Sequence, residues 1–255
     1  MKAKKIVIGN WKMSPHTRGE AKSLFDSVKK KVTSVKKTNV VVCPPFVFLG
    51  MLAGSLRSKN ISLGGQDVFY KSRGSHTGEV SADMLSDSRA EYVIVGHSER
   101  RALGEDDEIV AKKAIQAVTD GLSVIICIGE DKRDESGKYL SVLSEELKNS
   151  LYKFPQQHLN KLIVAYEPIW AIGKTTFDAM SPADIEGTVI FIRKTLSLMY
   201  GKERASTIPI IYGGSVTVGN AKSLITDGGI SGFLVGHESL IASNFNEIIS
   251  IVEHA

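Results

Sequence analysis

Eight short apolar runs, each followed by a stretch with helical periodicity, restrict this chain more than any other feature. The runs fall at residues 5–8, 39–43, 61–64, 92–95, 123–128, 162–166, 208–212 and 232–235, and the amphipathic stretches at 18–32, 47–57, 81–86, 105–119, 139–154, 182–200, 219–226 and 243–253. A short apolar run without polar alternation suits a strand buried on both faces. Parallel strands cannot be joined by a tight hairpin, so each helix supplies a crossover to the next strand. Eight such units in 255 residues match a closed (β/α)8 barrel of the α/β class better than an open doubly wound sheet of five or six strands. No Pro- or Ser-rich linker, low-complexity run or strong internal repeat divides the chain, so residues 1–255 are expected to form one domain.

Composition narrows the function classes. The net charge of +4 is modest, and Lys29, Lys30, Lys31, Lys36 and Lys37 lie on helix ends and turns without interleaved aromatics, a solvated face and not a nucleic-acid stripe. No stretch reaches the length of a membrane span, and the basic N-terminus leads only into a short strand. Both cysteines, Cys43 and Cys127, close apolar runs, where strands would bury them as reduced thiols. A cytoplasmic protein with no membrane or nucleic-acid partner is expected.

The run at 162–166 ends in Glu167-Pro168. Proline cannot donate to a ladder and restrains its predecessor, so the carboxylate falls at the C-terminal rim of the strand. The segment behind it, Pro168 to Gly173, is apolar and bracketed by Pro and Gly. Glu167 reads either as a base beneath a lid or as an ordinary rim carboxylate. The loops at 66–80 and 168–181 are longer than typical βα connections, and loops of that length in compact domains are functional or disordered. In a barrel, residues following each strand converge on one face, which carries the active site. Here they are Asn10, Trp11 and Lys12; Gly96, His97, Ser98 and Glu99; Glu167; Gly213, Gly214 and Ser215; and Gly236. A cation, an imidazole, a carboxylate and two glycine-rich helix starts on one rim suit a small phosphorylated substrate.

The chain resembles the triosephosphate isomerase family along essentially its whole length, through GNWKM at 9–13, HTGE at 76–79, VGHSERR at 95–101, CIGE at 127–130, YEPIWAIG at 166–173 and YGGSV at 212–216. The resemblance implies a single (β/α)8 TIM barrel and an isomerase of glycolysis and gluconeogenesis. It would interconvert dihydroxyacetone phosphate and glyceraldehyde 3-phosphate through an enediolate, with no cofactor and no metal. It assigns proton transfer to Glu167, a neutral hydrogen-bond donor to His97 and charge compensation to Lys12, with Asn10 positioning Lys12. It gives phosphate contacts to Gly173, Ser215 and Gly236, and implies gating of the lid by Glu130 and Tyr212. Glu99 would buttress Lys12 or pair with Arg100 or Arg101. It also implies a homodimer interlocked through the loop around Thr77, which would dock near the partner's active site. Read alone, that loop is equally a disordered excursion.

Two segments depart from the family pattern. After the eighth run, His237 and Glu238 stand where a second glycine and an alanine are usual. If that turn requires a positive φ, His237 would be strained, or the turn would relax. Glu238 adds negative charge beside the expected phosphate, so weakened phosphate affinity with retained catalysis is expected, and His237 joins the candidate substrate contacts. Beyond Gly173, the run Lys174 to Pro182 lacks the usual glycine and is slightly longer, which bears on the hinge of the lid. A phosphate-binding barrel without turnover, or another sugar-phosphate isomerase on the same fold, are the alternatives.

Overall fold

A computed structural model describes residues 5–56, 60–134, 136–171 and 180–255. Strand and helix alternate as β1 (Lys5–Asn10), α1 (Arg18–Val32), β2 (Thr38–Cys43), α2 (Phe46–Ala53), β3 (Ile61–Gly65), α3 (Ala82–Asp87), β4 (Ala90–Val95), α4 (Ser98–Arg101), α5 (Asp107–Thr119), β5 (Ser123–Ile128), α6 (Lys138–Ser150), β6 (Leu162–Tyr166), α7 (Pro182–Tyr200), α8 (Lys202–Thr207), β7 (Ile210–Tyr212), α9 (Ala221–Asp227), β8 (Gly232–Val235) and α10 (Ala242–His254). Each strand pairs in parallel with its sequence neighbours, and β8 returns to β1 with Ile6 opposite Gly232 and Gly9 opposite Val235, so the sheet closes into a (β/α)8 barrel.

Closure divides the apolar residues into two layers by strand alternation. Ile6, Ile8, Val41, Cys43, Ile94, Ile125, Cys127, Ile163, Ala165, Ile211 and Leu234 fill the barrel interior. Their neighbours Val7, Val42, Val93, Ile126, Val164 and Phe233 face outward and pack with buried helix residues such as Phe25, Val110, Ile192 and Phe245. Strands that read as unbroken apolar runs are therefore two-sided, each face meeting a different layer. The alternation also aims the site: Asn10 lies two residues beyond Ile8, and Glu167 two beyond Ala165, so both continue the inward series at the mouth.

Strand boundaries differ from expectation in two informative places. β1 runs two residues further, to Asn10, because Gly9 and Asn10 still pair with Val42 and Cys43. β7 begins at Ile210 and not at 208. Ile208 terminates the unanticipated helix α8, and Pro209 has no N–H to donate to a ladder, although its carbonyl accepts from Val164 N at 3.0 Å. The Arg193 guanidinium covers the Ala205 and Ile208 carbonyls at this junction. The helix expected over 47–57 is α2, ending at Ala53, and Arg57 lies outside the described residues.

The long connection after β3 is ordered by its own contacts. Phe69 N donates to Val80 O at 2.8 Å across its base, the Phe69 ring lies 4.5 Å from that of His76, and Gly74 and Gly78 take positive φ. Its root is tied inward as well. Asp67 binds the buried Lys113 ammonium at 2.7 Å, and Glu105 shares that ammonium at 2.6 Å. These contacts fix the root of the loop, while residues 71–79 remain mostly exposed.

Candidate active site

Glu167 is held by backbone before its side chain is considered. Its N–H donates to Ile128 O at 2.8 Å, prolonging the β5–β6 ladder by one residue past Tyr166. Two glycines permit its position. A Cβ on Gly129 would stand 1.7 Å from the Glu167 carbonyl oxygen, and one on Gly213 would stand 2.7 Å from Glu167 Cγ. The side chain is nearly fully buried, and Oε2 meets no hydrogen-bond partner among the described residues. Burial pushes the neighbouring Cys127 thiol well above its ordinary range, and the Glu167 carboxylate adds to the rise. The thiol is therefore a neutral lining group.

His97 follows β4 and caps α4, its Nδ1 accepting from Glu99 N at 3.2 Å. With Nδ1 used as an acceptor, the proton of the neutral ring sits on Nε2. Nε2 lies 3.5 Å from Glu167 Oε1, so the imidazole N–H and the carboxylate face the same space. Lys12 completes the group from β1. Its backbone takes φ of 51°, a conformation held by Asn10 Oδ1 accepting from Lys12 N at 3.0 Å and by Gln66 Nε2 donating to Lys12 O at 2.8 Å. Lys12 Nζ pairs with Glu99 Oε1 at 2.6 Å. The other two candidate partners of Glu99 are engaged elsewhere, Arg100 with Asp67 and Glu105, and Arg101 with Asp107 and Glu146.

These side chains line one cavity of about 280 Å³ with Asn10, Gly213, Gly214, Ser215, Gly236, His237 and Glu238. Of the residues singled out in the sequence, Asn10, Lys12, His97, Glu167, Ser215, Gly236 and His237 are brought together here. Gly173 and the departing run after it, as far as residue 179, lie outside the described residues. Strain at His237 is not found: positive φ among non-glycine residues is confined to Lys12, Arg89 and Lys153 in the described chain. The chain instead enters a 3-10 turn, His237–Leu240, in which Ser239 Oγ donates to Gly236 O at 2.6 Å. Glu238 is drawn aside, its Oε2 accepting from Asn244 Nδ2 at 2.8 Å.

Several supports carried no sequence signal. Gln66, a lone polar residue at a loop start, also bridges to Cys43 O at 2.9 Å. Asn220 shapes the turn after β7 by donating to Ser215 O at 3.0 Å and accepting from Thr217 N at 2.8 Å. At the root of the 168–181 loop, Glu130 Oε1 takes both the Tyr166 hydroxyl at 2.9 Å and the Trp170 indole N–H at 3.0 Å, while the buried Tyr212 hydroxyl meets no partner among the described residues. Among the described residues, no group of three or more His, Cys, Asp and Glu is arranged to hold a metal ion, and no helix is long and apolar enough to cross a membrane.

Known proteins share this arrangement of sequence. The family profile described as triosephosphate isomerase matches residues 5–252. Proteins named triosephosphate isomerase from Thermoanaerobacter sp. (strain X514) and Moorella thermoacetica are each 41% identical over 247 residues, covering 96% of this chain and 98% and 97% of their own. The protein of that name from Chloroflexus aurantiacus is 39% identical over 246 residues, covering 96% of this chain and 97% of its own.

Proposed function

The chain belongs to the triosephosphate isomerase family, and we propose that Glu167, His97 and Lys12 divide among them the chemistry of that reaction. The enzyme interconverts dihydroxyacetone phosphate and glyceraldehyde 3-phosphate. The observation that carries the division of labour is the facing pair, His97 Nε2 and Glu167 Oε1 at 3.5 Å, over a cavity that Lys12 also lines. Glu167 Oε2, without a protein partner among the described residues, takes the proton from the carbon beside the carbonyl. The same carboxyl returns it to the neighbouring carbon, while the hydroxyl proton on the first carbon's oxygen passes to the former carbonyl oxygen, so no atom is gained or lost. The His97 N–H donates to the oxygen that becomes negative, and a neutral donor aimed at developing charge acts most strongly in a dry site. Lys12 offsets the charge of enediolate and phosphate, and Asn10 fixes the backbone from which Lys12 projects.

The phosphate end is placed between Ser215 and the Gly236–His237 turn, with Gly173 as a further contact from the lid. Glu130 would anchor the lid when open, and Tyr212 would receive it when closed. A closed lid excludes water and strengthens each of these interactions. A homodimer is the assembly that fits the outer surface. Met13 is 89%, Val47 77% and Leu103 79% exposed; Met13 follows β1, Val47 lies in the first turn of α2 and Leu103 follows α4. The loop after β3, which carries Thr77, is mostly exposed over residues 71–79. Gathered on one face, such apolar side chains would supply the contact surface of a dimer. The buried, unpaired thiols of Cys43 and Cys127 suit a reducing, cytoplasmic setting.

Steady-state turnover of glyceraldehyde 3-phosphate tests the reading. The wild-type protein is expected to turn over, and Glu167→Asp, which withdraws the carboxylate by one methylene, to lose on the order of 10²-fold in kcat. A folded wild-type protein that binds inorganic phosphate and shows no turnover would instead identify a phosphate-binding barrel.

A further inference from the structure

We infer that Glu146, on α6 outside the reaction cavity, is a positioning residue that ties the loop carrying His97 to the turn on which Glu167 rests. The inference rests on the isomerase reading above. The Glu146 carboxylate reaches in two directions at once. Oε2 accepts from Gly129 N at 2.9 Å, and Oε1 lies 3.0 Å from Arg101 Nε. Both contacts lead to the site. Gly129 is the residue whose backbone lies against the Glu167 carbonyl, and it stands between Ile128, which accepts the Glu167 N–H, and Glu130, which accepts the Trp170 indole. Arg101 Nε also lies 2.8 Å from Gly96 O, one residue before His97, and Nη2 reaches Cys127 O at 3.4 Å. One carboxylate thereby braces the ends of β4 and β5 from behind.

The brace is built for charge. The Glu146 side chain is 13% exposed, and Ser150, one turn further along α6, also meets the Arg101 guanidinium, at 2.9 Å. The charged groups acting on Glu146 are Arg101 from α4, Asp107 from α5 and Glu167 across a small void that Gly96, Ser98, Cys127 and Gly129 also line. Burial pushes the Glu146 carboxyl up to about 7 despite Arg101 and the Gly129 N–H, which pull it down, and Asp107 and Glu167 add to the rise. The brace therefore changes charge around neutrality. Protonated, it surrenders its ion pair with Arg101 and weakens as an acceptor for Gly129.

Glu146→Gln keeps the shape and a carbonyl acceptor but never carries the charge. At pH 8 the variant is expected to show kcat about three- to tenfold below wild type with KM within about twofold, because misplaced catalytic groups cost rate more than binding. At pH 5.5, where wild-type Glu146 is itself protonated, the two enzymes should converge. A kcat ratio that is the same at every pH, or kcat within about twofold at pH 8, overturns the inference. Should the variant not fold, the Gly129 amide proton of the wild-type protein carries the test: titration near neutrality supports the brace, and a shift that stays flat between pH 5.5 and 8 overturns it. Absence of any wild-type turnover would defeat the reaction assignment instead. The Gly129 amide proton then decides, titrating near neutrality in wild type and flat in Glu146→Gln if the brace exists, and behaving alike in both if it does not.

Discussion

At the level of single residues, the cost of Glu146 is as informative as its role. The carboxyl is raised from 4.5 to about 7 chiefly by burial, so the native state holds this proton more tightly than the unfolded chain does. Its contribution to stability is complete below about pH 4.5 and is lost as pH rises through 7. That loss is up to about 3 kcal/mol. Glutamine has no proton to lose, so the urea midpoint of Glu146→Gln relative to wild type should climb between pH 5.5 and 8.5, and a difference that shrinks or stays constant would contradict the assignment. A substitution that stabilises while slowing turnover would mark Glu146 as a residue kept for geometry. Glu167 shows the same logic in another form. Its Oε2 lacks a partner among the described residues, an expense tolerated where a substrate atom completes the contact.

At the level of elements, the last turn of the barrel differs most from the family pattern. The 3-10 turn His237–Leu240 accommodates His237 without a positive φ, and Asn244 at the start of α10 engages the Glu238 carboxylate. Backbone strain is therefore not what separates this turn from a glycine pair. Electrostatics is what remains: Glu238 lines the same cavity as Ser215 and Gly236 and sets a carboxylate near the proposed phosphate position. His237→Gly combined with Glu238→Ala is expected to lower KM for glyceraldehyde 3-phosphate by about three- to tenfold, with kcat changed far less, since binding of the non-reacting phosphate is what alters. An unchanged or higher KM would show that neither side chain senses the phosphate.

At the level of the whole molecule, the exposed loops after β1 to β4 argue for a second copy of the chain. Met13, Val47 and Leu103 are exposed apolar side chains, and residues 71–79 of the loop bearing Thr77 are mostly exposed. Sedimentation should give a dimer at micromolar concentration. Thr77→Arg should shift it toward monomer and reduce kcat at least about tenfold, because a loop that docks beside a neighbour's site orders that site only when docked. A fully active monomer would sink the dimer proposal.

The order of eight strands and their crossovers was legible in the sequence because burial on both faces leaves apolar runs that only a covered parallel sheet can use. The positions of Lys12, His97 and Glu167 were legible because a barrel collects the residues that follow its strands on one face. Boundaries were less so. Asn10 belongs to β1 because of pairing with Cys43, and β7 starts late because α8 and Pro209 precede it, both consequences of neighbours that a local pattern does not contain. The supporting contacts were not legible. Gln66, Asn220, Arg101 and Glu146 are ordinary polar residues on loops and helices, and their partners lie up to tens of residues away: Gln66 meets Lys12, and Arg101 meets Cys127 and Ser150. Local sequence therefore determined which chemistry this chain carries, since residue type and strand periodicity are local properties. Tertiary structure decided how that chemistry is aimed, because the distances, the burial and the charge state of Glu146 arise only when the barrel has closed.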